Sequence, residues 1–202
     1  MSGEVEAALI TGAATIVAAL IGLAVYFRGK RDDKDGGSYS TSAEARRRKH
    51  KYDLFVSSPL AAFASDAELA KSKEQIAQLV AAAEQLGFSV YWAGRNIATK
   101  NDFDAADISA TQDVAAILDS KYFLMVYPAR IVSSVIFEAG IALNNCLTSI
   151  YFVQSEKDLP FLMTQASQAF KNVRTYVCAT PAEHLGLLKK HGVAFFEPNR
   201  SQ

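Results

Sequence analysis

The chain has 202 residues, half of them apolar, and its 21 basic residues balance its 21 acidic ones to a formal charge of zero. That is ample for the core of one ordinary domain with extra segments. The balance hides a segregation: nine Lys or Arg face four acids from Arg28 to Lys51, and twelve face fifteen from Tyr52 onward, which argues against a nucleic-acid surface on the folded part.

Residues 1–6 form a short segment carrying Glu4 and Glu6, and Ala7 to Phe27 follow as an unbroken apolar or small run. About twenty such residues span a bilayer core as a helix. A cleaved leader would want basic charge before the run and a small-residue cleavage site after it, whereas Arg28-Gly29-Lys30-Arg31 follows here. The run is therefore expected to be retained as a single-pass anchor in the cell inner membrane. Its acidic N-terminus lies outside and the rest is cytoplasmic. Ala14, Ala18 and Gly22 offer a small-residue face for self-association.

Residues 28–50 have no hydrophobic period and read as a flexible basic linker. Its end, Arg46 to Lys51, is either a plain solvated charge run or a hold on anionic lipid.

The expected globular domain covers 51–202. Tyr52 to Ser57 reads as a first strand, closed by Ser58-Pro59. Ser65 to Glu68 is a capping box, and apolar residues at helical spacing run from Leu69 to a Gly87 stop. Phe88 to Trp92 is a second strand, and Ala93 to Asp107 a polar loop. Ser109 to Leu118 is a short helix, Tyr122 to Tyr127 a third strand ending at Pro128, and Ser133 to Leu143 a helix with Ser133 or Ser134 as its N-cap. Ser149 to Val153 is a fourth strand, Leu159 to Phe170 a helix, Val173 to Val177 a fifth strand, and Thr180-Pro181-Ala182-Glu183 opens a last helix. Strands alternating with helices predict an α/β fold with a five-stranded parallel sheet, doubly wound in flavodoxin-like order. Cys146 and Cys178 have no metal spacing and read as reduced, buried thiols.

In such a fold ligands bind beyond the carboxyl ends of the strands, so those ends select the candidate site residues. They are Ser57, Ser58 and Pro59 after the first strand, Trp92 and Arg95 after the second, Tyr127 after the third, and Ser133 and Ser134 at the next helix. Glu138 lies one turn into that helix on the Ser134 face, and it either complements the helix dipole or faces the crevice mouth. Trp92, the sole Trp, could stack on a flat ring or fill core, and Arg95 could pair with a phosphate or stay solvated. Asp102, Asp104 and Asp107 lack metal-ligand spacing, so no metal is expected.

Tyr52 to Ser57 is similar to the opening strand of TIR domains, and Ser133 to Leu143 resembles the helix that bears their catalytic glutamate. The latter segment, with Leu118-Asp119-Ser120 and the Glu-x-Gly of Glu138 to Gly140, is also similar to the nucleoside 2-deoxyribosyltransferase relatives of that fold. The resemblance covers about Lys51 to Val153. It departs at Ser134, where many TIR enzymes carry Trp. It implies a membrane-tethered effector that cleaves the nicotinamide–ribose bond of NAD through Glu138. NAD is then a substrate with no further cofactor. The resemblance also implies bacterial anti-phage defence and activation by clustering under an unidentified upstream signal.

One carboxylate suffices for that chemistry, because nicotinamide leaves a pyridinium ribosyl bond as a neutral ring. A deoxyribosyltransferase or nucleotide N-glycosidase would want a second acid, with Asp119, Asp102 and Asp104 as candidates. A non-catalytic scaffold or nucleotide sensor acting through its membrane helix is the third reading.

Overall fold

A computed structural model describes residues 49–197. The short segment at 1–6, the expected span at 7–27 and most of the linker lie outside the described residues. Among those that are described, no helix is long and apolar enough to cross a membrane.

Within the described residues five strands and six α-helices follow in the order β1 (Tyr52–Ser57), α1 (Asp66–Gln85), β2 (Val90–Tyr91), α2 (Ala106–Leu118), β3 (Ser120–Tyr127), α3 (Val135–Asn144), β4 (Thr148–Val153), α4 (Phe161–Thr164), α5 (Ala166–Ala169), β5 (Val173–Val177) and α6 (Pro181–His191). All strand pairs are parallel and the sheet order is β2-β1-β3-β4-β5. This is the flavodoxin-like doubly wound order, whose direction of winding reverses between β1 and β3. The ligand crevice of such a sheet opens at that reversal.

Period-two alternation divides the strands between two cores. Leu54, Val56, Tyr122, Leu124, Val126, Ile150 and Phe152 pack toward α1 and α6. Phe55, Phe123, Met125, Tyr127, Tyr151 and Val153 pack toward α2 and α3. Burial on both faces explains why these strands are continuous apolar runs. Ser57 shares the parity of Phe55, so its side chain falls on the α2/α3 side while Ser58 falls on the other.

The local signals act as physical chemistry requires. Ser65 Oγ accepts from Glu68 N at 3.3 Å and Glu68 Oε2 accepts from Ser65 N at 3.2 Å, closing the capping box of α1. Gly87 has φ +91°, a left-handed stop that any Cβ would strain. Thr180 caps α6 by accepting from Glu183 N at 3.4 Å.

Four expectations are corrected. The second strand shrinks to Val90–Tyr91, because β2 is an edge that meets β1 only through Leu54↔Val90 and Phe55↔Tyr91. The helix expected over Leu159 to Phe170 is two single turns. It breaks at Gln165 beside Thr164, whose hydroxyl bonds back to the Phe161 carbonyl at 2.6 Å. The helix expected from Ser109 begins three residues earlier, at Ala106. Both cysteines are free, but only Cys178 is buried. Cys146 takes the left-handed position after α3 with φ +57°, usually held by glycine, and is exposed there.

Candidate functional site

β1 and β3 end side by side, with Ser57 paired to Met125. The chain leaves β3 through Pro128, and Tyr127 Oη fixes the loop by donating to the Ile131 carbonyl at 2.7 Å and accepting from Ile131 N at 3.2 Å. α3 then starts at Val135. Ser134 stands at its N-cap in helical conformation, with no side-chain cap, so neither serine takes the expected capping role.

Glu138, one turn in, is only 6% exposed. Ser57 Oγ donates to Glu138 Oε2 at 2.5 Å, joining β1 to α3 across the reversal point. Burial pushes this carboxyl up to about 7. The Ser134 and Ser57 hydroxyls pull it back, and the negative charge of Asp113 adds to the rise. Of the two hydroxyls, only Ser57 makes a hydrogen bond of good geometry.

A cleft of about 780 Å³ opens beside Glu138. This volume lies within the range of small-molecule sites. Of the residues expected from sequence, the cleft gathers Glu138, Ser57, Ser58, Trp92, Arg95, Ser134, Asp102 and Asp104. It leaves out four. Pro59 lines a separate pocket of about 140 Å³ on the α1/α6 side. Tyr127 is spent on its loop. Ser133 does not reach the wall, and its buried hydroxyl has no hydrogen-bond partner. Asp119 sits at the opposite rim, where its carbonyl accepts from Tyr52 N at the start of β1.

Trp92, Arg95 and Asp102 also have defined partners. Trp92 is buried and donates from Nε1 to Ser58 Oγ at 3.1 Å, so it serves as both wall and core. Gly94 presses on it: a Cβ there would stand 2.5 Å from Trp92 Cζ2. Arg95 reaches Glu84 Oε1 at 2.8 Å. Asp102 accepts from Thr99 N, Ala98 N and Thr99 Oγ1, and these bonds hold its carboxyl below the usual range.

Asp113 and Tyr91, also in the cleft, escaped the sequence reading. Asp113 on α2 is half-buried, and Tyr91 Oη donates to its Oδ1 at 3.1 Å. Burial raises the Asp113 carboxyl and the Tyr91 bond counters it. Burial, then the adjacent Asp113 charge, drives the Tyr91 phenol well up. Asp113 was visible in principle, because it lies three and four residues before the buried Ala116 and Ile117 and so on the inward face of α2. Among the described residues no three His, Cys, Asp or Glu converge as metal ligands.

Fold and cleft together define the class: a doubly wound α/β domain with a buried carboxylate at its topological switch point. No family model matches the chain, and no curated protein matches it in sequence. Among solved structures the chain is similar to the CMP N-glycosidase BcmB of Clostridium botulinum, at 17% identity over 69% of this chain and 98% of that chain, with a TM-score of 0.53. A metazoan TIR-STING receptor from C. gigas matches at 19% identity over 69% of this chain and 41% of that chain, with a TM-score of 0.39. At 17% identity the likeness to the glycosidase speaks to fold alone.

Proposed function

We propose that the domain hydrolyses the N-glycosidic bond of a nucleotide and that its substrate is NAD. The observation that carries this reading is Glu138. Its carboxylate is buried, oriented by Ser57 and set into a cleft of nucleotide size. In the reaction the C1′–N bond breaks and its electron pair passes to nitrogen, neutralising the pyridinium. Glu138 stabilises the positive charge left on the ribosyl ring, by charge and by hydrogen bonding to ribose hydroxyls. Water then bonds to C1′ and releases a proton, giving nicotinamide and ADP-ribose. No group need protonate the leaving ring.

The ionised form of Glu138 does this work, and its carboxyl titrates at about 7 in the free protein. A cationic ring bound beside it favours ionisation, so substrate binding itself prepares the catalyst. The runner-up, a nucleotide N-glycosidase acting on an uncharged base, is favoured by one observation: Asp113 is a second carboxyl in the same cleft and could supply a proton.

We extend the proposal to the rest of the chain. The apolar run at 7–27 holds the domain at the inner membrane, clustering switches it on, and anti-phage defence is the setting in which such depletion of NAD is useful.

The test is to incubate the full chain in liposomes, clustered and dispersed, with NAD and with CMP separately, alongside Glu138→Gln. Release of nicotinamide by the wild type and not by the variant supports the reading. Release of cytosine without nicotinamide replaces it with the runner-up, and equal release by Glu138→Gln overturns both.

A further inference from the structure

The charges and rings of the cleft are unevenly chosen. Glu138, Asp113, Asp104 and Asp102 line it against a single cation, Arg95, which already reaches Glu84 at 2.8 Å. Six aromatic side chains, Tyr52, Phe55, Tyr91, Trp92, Phe103 and Phe137, line the same space. Carboxylates interleaved with aromatic faces disfavour an anionic or electron-rich ring and attract a flat cation, through Coulomb attraction and the ring quadrupole.

Within this wall Asp113 and Tyr91 form a built unit. The Tyr91 ring stacks on Phe55, centroids 5.2 Å apart at 20°, and meets Tyr52 at 5.3 Å. Its hydroxyl is thereby held where it donates to Asp113 Oδ1 at 3.1 Å. A hydroxyl donated to one carboxyl oxygen favours the ionised form and leaves the other oxygen free to face a ligand.

We propose that Asp113, positioned by Tyr91, is a specificity determinant that selects substrates whose leaving ring is a quaternary pyridinium and rejects those with an uncharged base. This deepens the reading of the cleft as an NAD-cleaving site and rests on it for the identity of the leaving ring. Tyr91 is a positioning residue, acting through Asp113. The role differs from proton donation: a carboxylate that attracts a cation must stay ionised, whereas a proton donor must not.

The experiment separates recognition from chemistry by measuring binding of two rings that cannot be hydrolysed, 1-methylnicotinamide, which is cationic, and nicotinamide, which is neutral. With the full chain, 1-methylnicotinamide is expected to bind at least about tenfold more tightly, an advantage that salt reduces. Asp113→Asn should erase the preference and leave nicotinamide binding unchanged. Tyr91→Phe should reduce it by a smaller factor, and Asp113→Glu should restore part of what Asn loses. Equal binding of the two rings, or a preference that survives Asp113→Asn, overturns the proposal. A preference that depends on Asp113 in a protein that never releases nicotinamide upholds the recognition site and refutes only the hydrolytic reading. If NAD is cleaved, Asp113→Asn should raise KM for NAD about tenfold with kcat little changed. A loss confined to kcat for an uncharged base would make Asp113 an acid and overturn the assignment.

Discussion

The two faces of the sheet are built on opposite terms. On the α1/α6 face both helices have their N-termini capped by side chains, Ser65 and Thr180. The core there is an aromatic cluster in which Phe152 stacks on His184 and Phe88 meets Phe196 and Tyr122 edge-on. On the α2/α3 face both helices begin without a side-chain cap, at Ala105 and Ser134. There a carboxylate is buried, and a cleft opens beside it past the strand ends, taking in Ser58 and Trp92 from the other side of the sheet. One face caps its helix ends with its own side chains, and the other leaves its helix ends without side-chain caps beside a buried carboxyl. The difference marks the neighbourhood of Glu138 as the candidate site, because a buried carboxyl and uncapped helix ends are costs that folding alone gives no reason to carry.

The largest expected effect falls on the open face. Glu138→Gln should reduce NAD hydrolysis by about 10³-fold or more, since the neutral amide cannot offset charge on the ribosyl ring. The measurement is the initial rate of nicotinamide release under clustered conditions. The same truncation logic gives a different result across the sheet. Phe152→Ala should lower stability by about 3–5 kcal/mol, read from denaturant unfolding, and leave kcat/KM of the folded fraction unchanged. A large effect of Phe152→Ala on kcat/KM would blur the contrast between the faces.

The third prediction turns the open face into a stability statement. The Glu138 carboxyl lies at about 7 folded against an ordinary 4.5. Its contribution to stability is therefore fully present below pH 4.5 and lost as pH rises through 7, by roughly 3 kcal/mol in all. Glu138→Gln removes that penalty, so at pH 9 the inactive variant should unfold at higher denaturant than the wild type, and near pH 4 the two should converge. Identical stability at pH 9 would mean that Glu138 is not buried as charge. The smallest effect is a control on the α1/α6 face, where Thr180→Ala should cost about 1 kcal/mol through the lost cap of α6 and leave activity intact.

How far the sequence carried this picture follows from what each signal encodes. β1, β3 and β4 were legible because apolar runs bounded by turn residues have few other uses, and β5 because Val173, Thr175, Tyr176 and Val177 favour a strand. α1 was legible because Ser65 and Glu68 cap it reciprocally. The edge strand β2 was overread, since four strand-favouring residues among Phe88 to Trp92 do not reveal that only Val90 and Tyr91 find a partner. Glu138 could be placed at the crevice by counting from Ser134, but its bond to Ser57, 81 positions away, is a fact of three dimensions. Asp113 and Tyr91 were missed for the same reason. They are 22 residues apart on α2 and β2, and each is unremarked until the fold sets one against the other. Asp119 was attractive for its adjacency to β3, yet it stands at the amino end of that strand, where the crevice is not.

The most direct test of the central claim is the pH dependence of NAD hydrolysis by the full chain. kcat/KM reports the free protein, so it should fall as pH drops through about 7, following Glu138; kcat reports the bound complex, and its acid limb should lie lower because the cationic ring favours the carboxylate. A rate that holds unchanged down to the ordinary glutamate range in both parameters, or no nicotinamide release at any pH, would contradict the account.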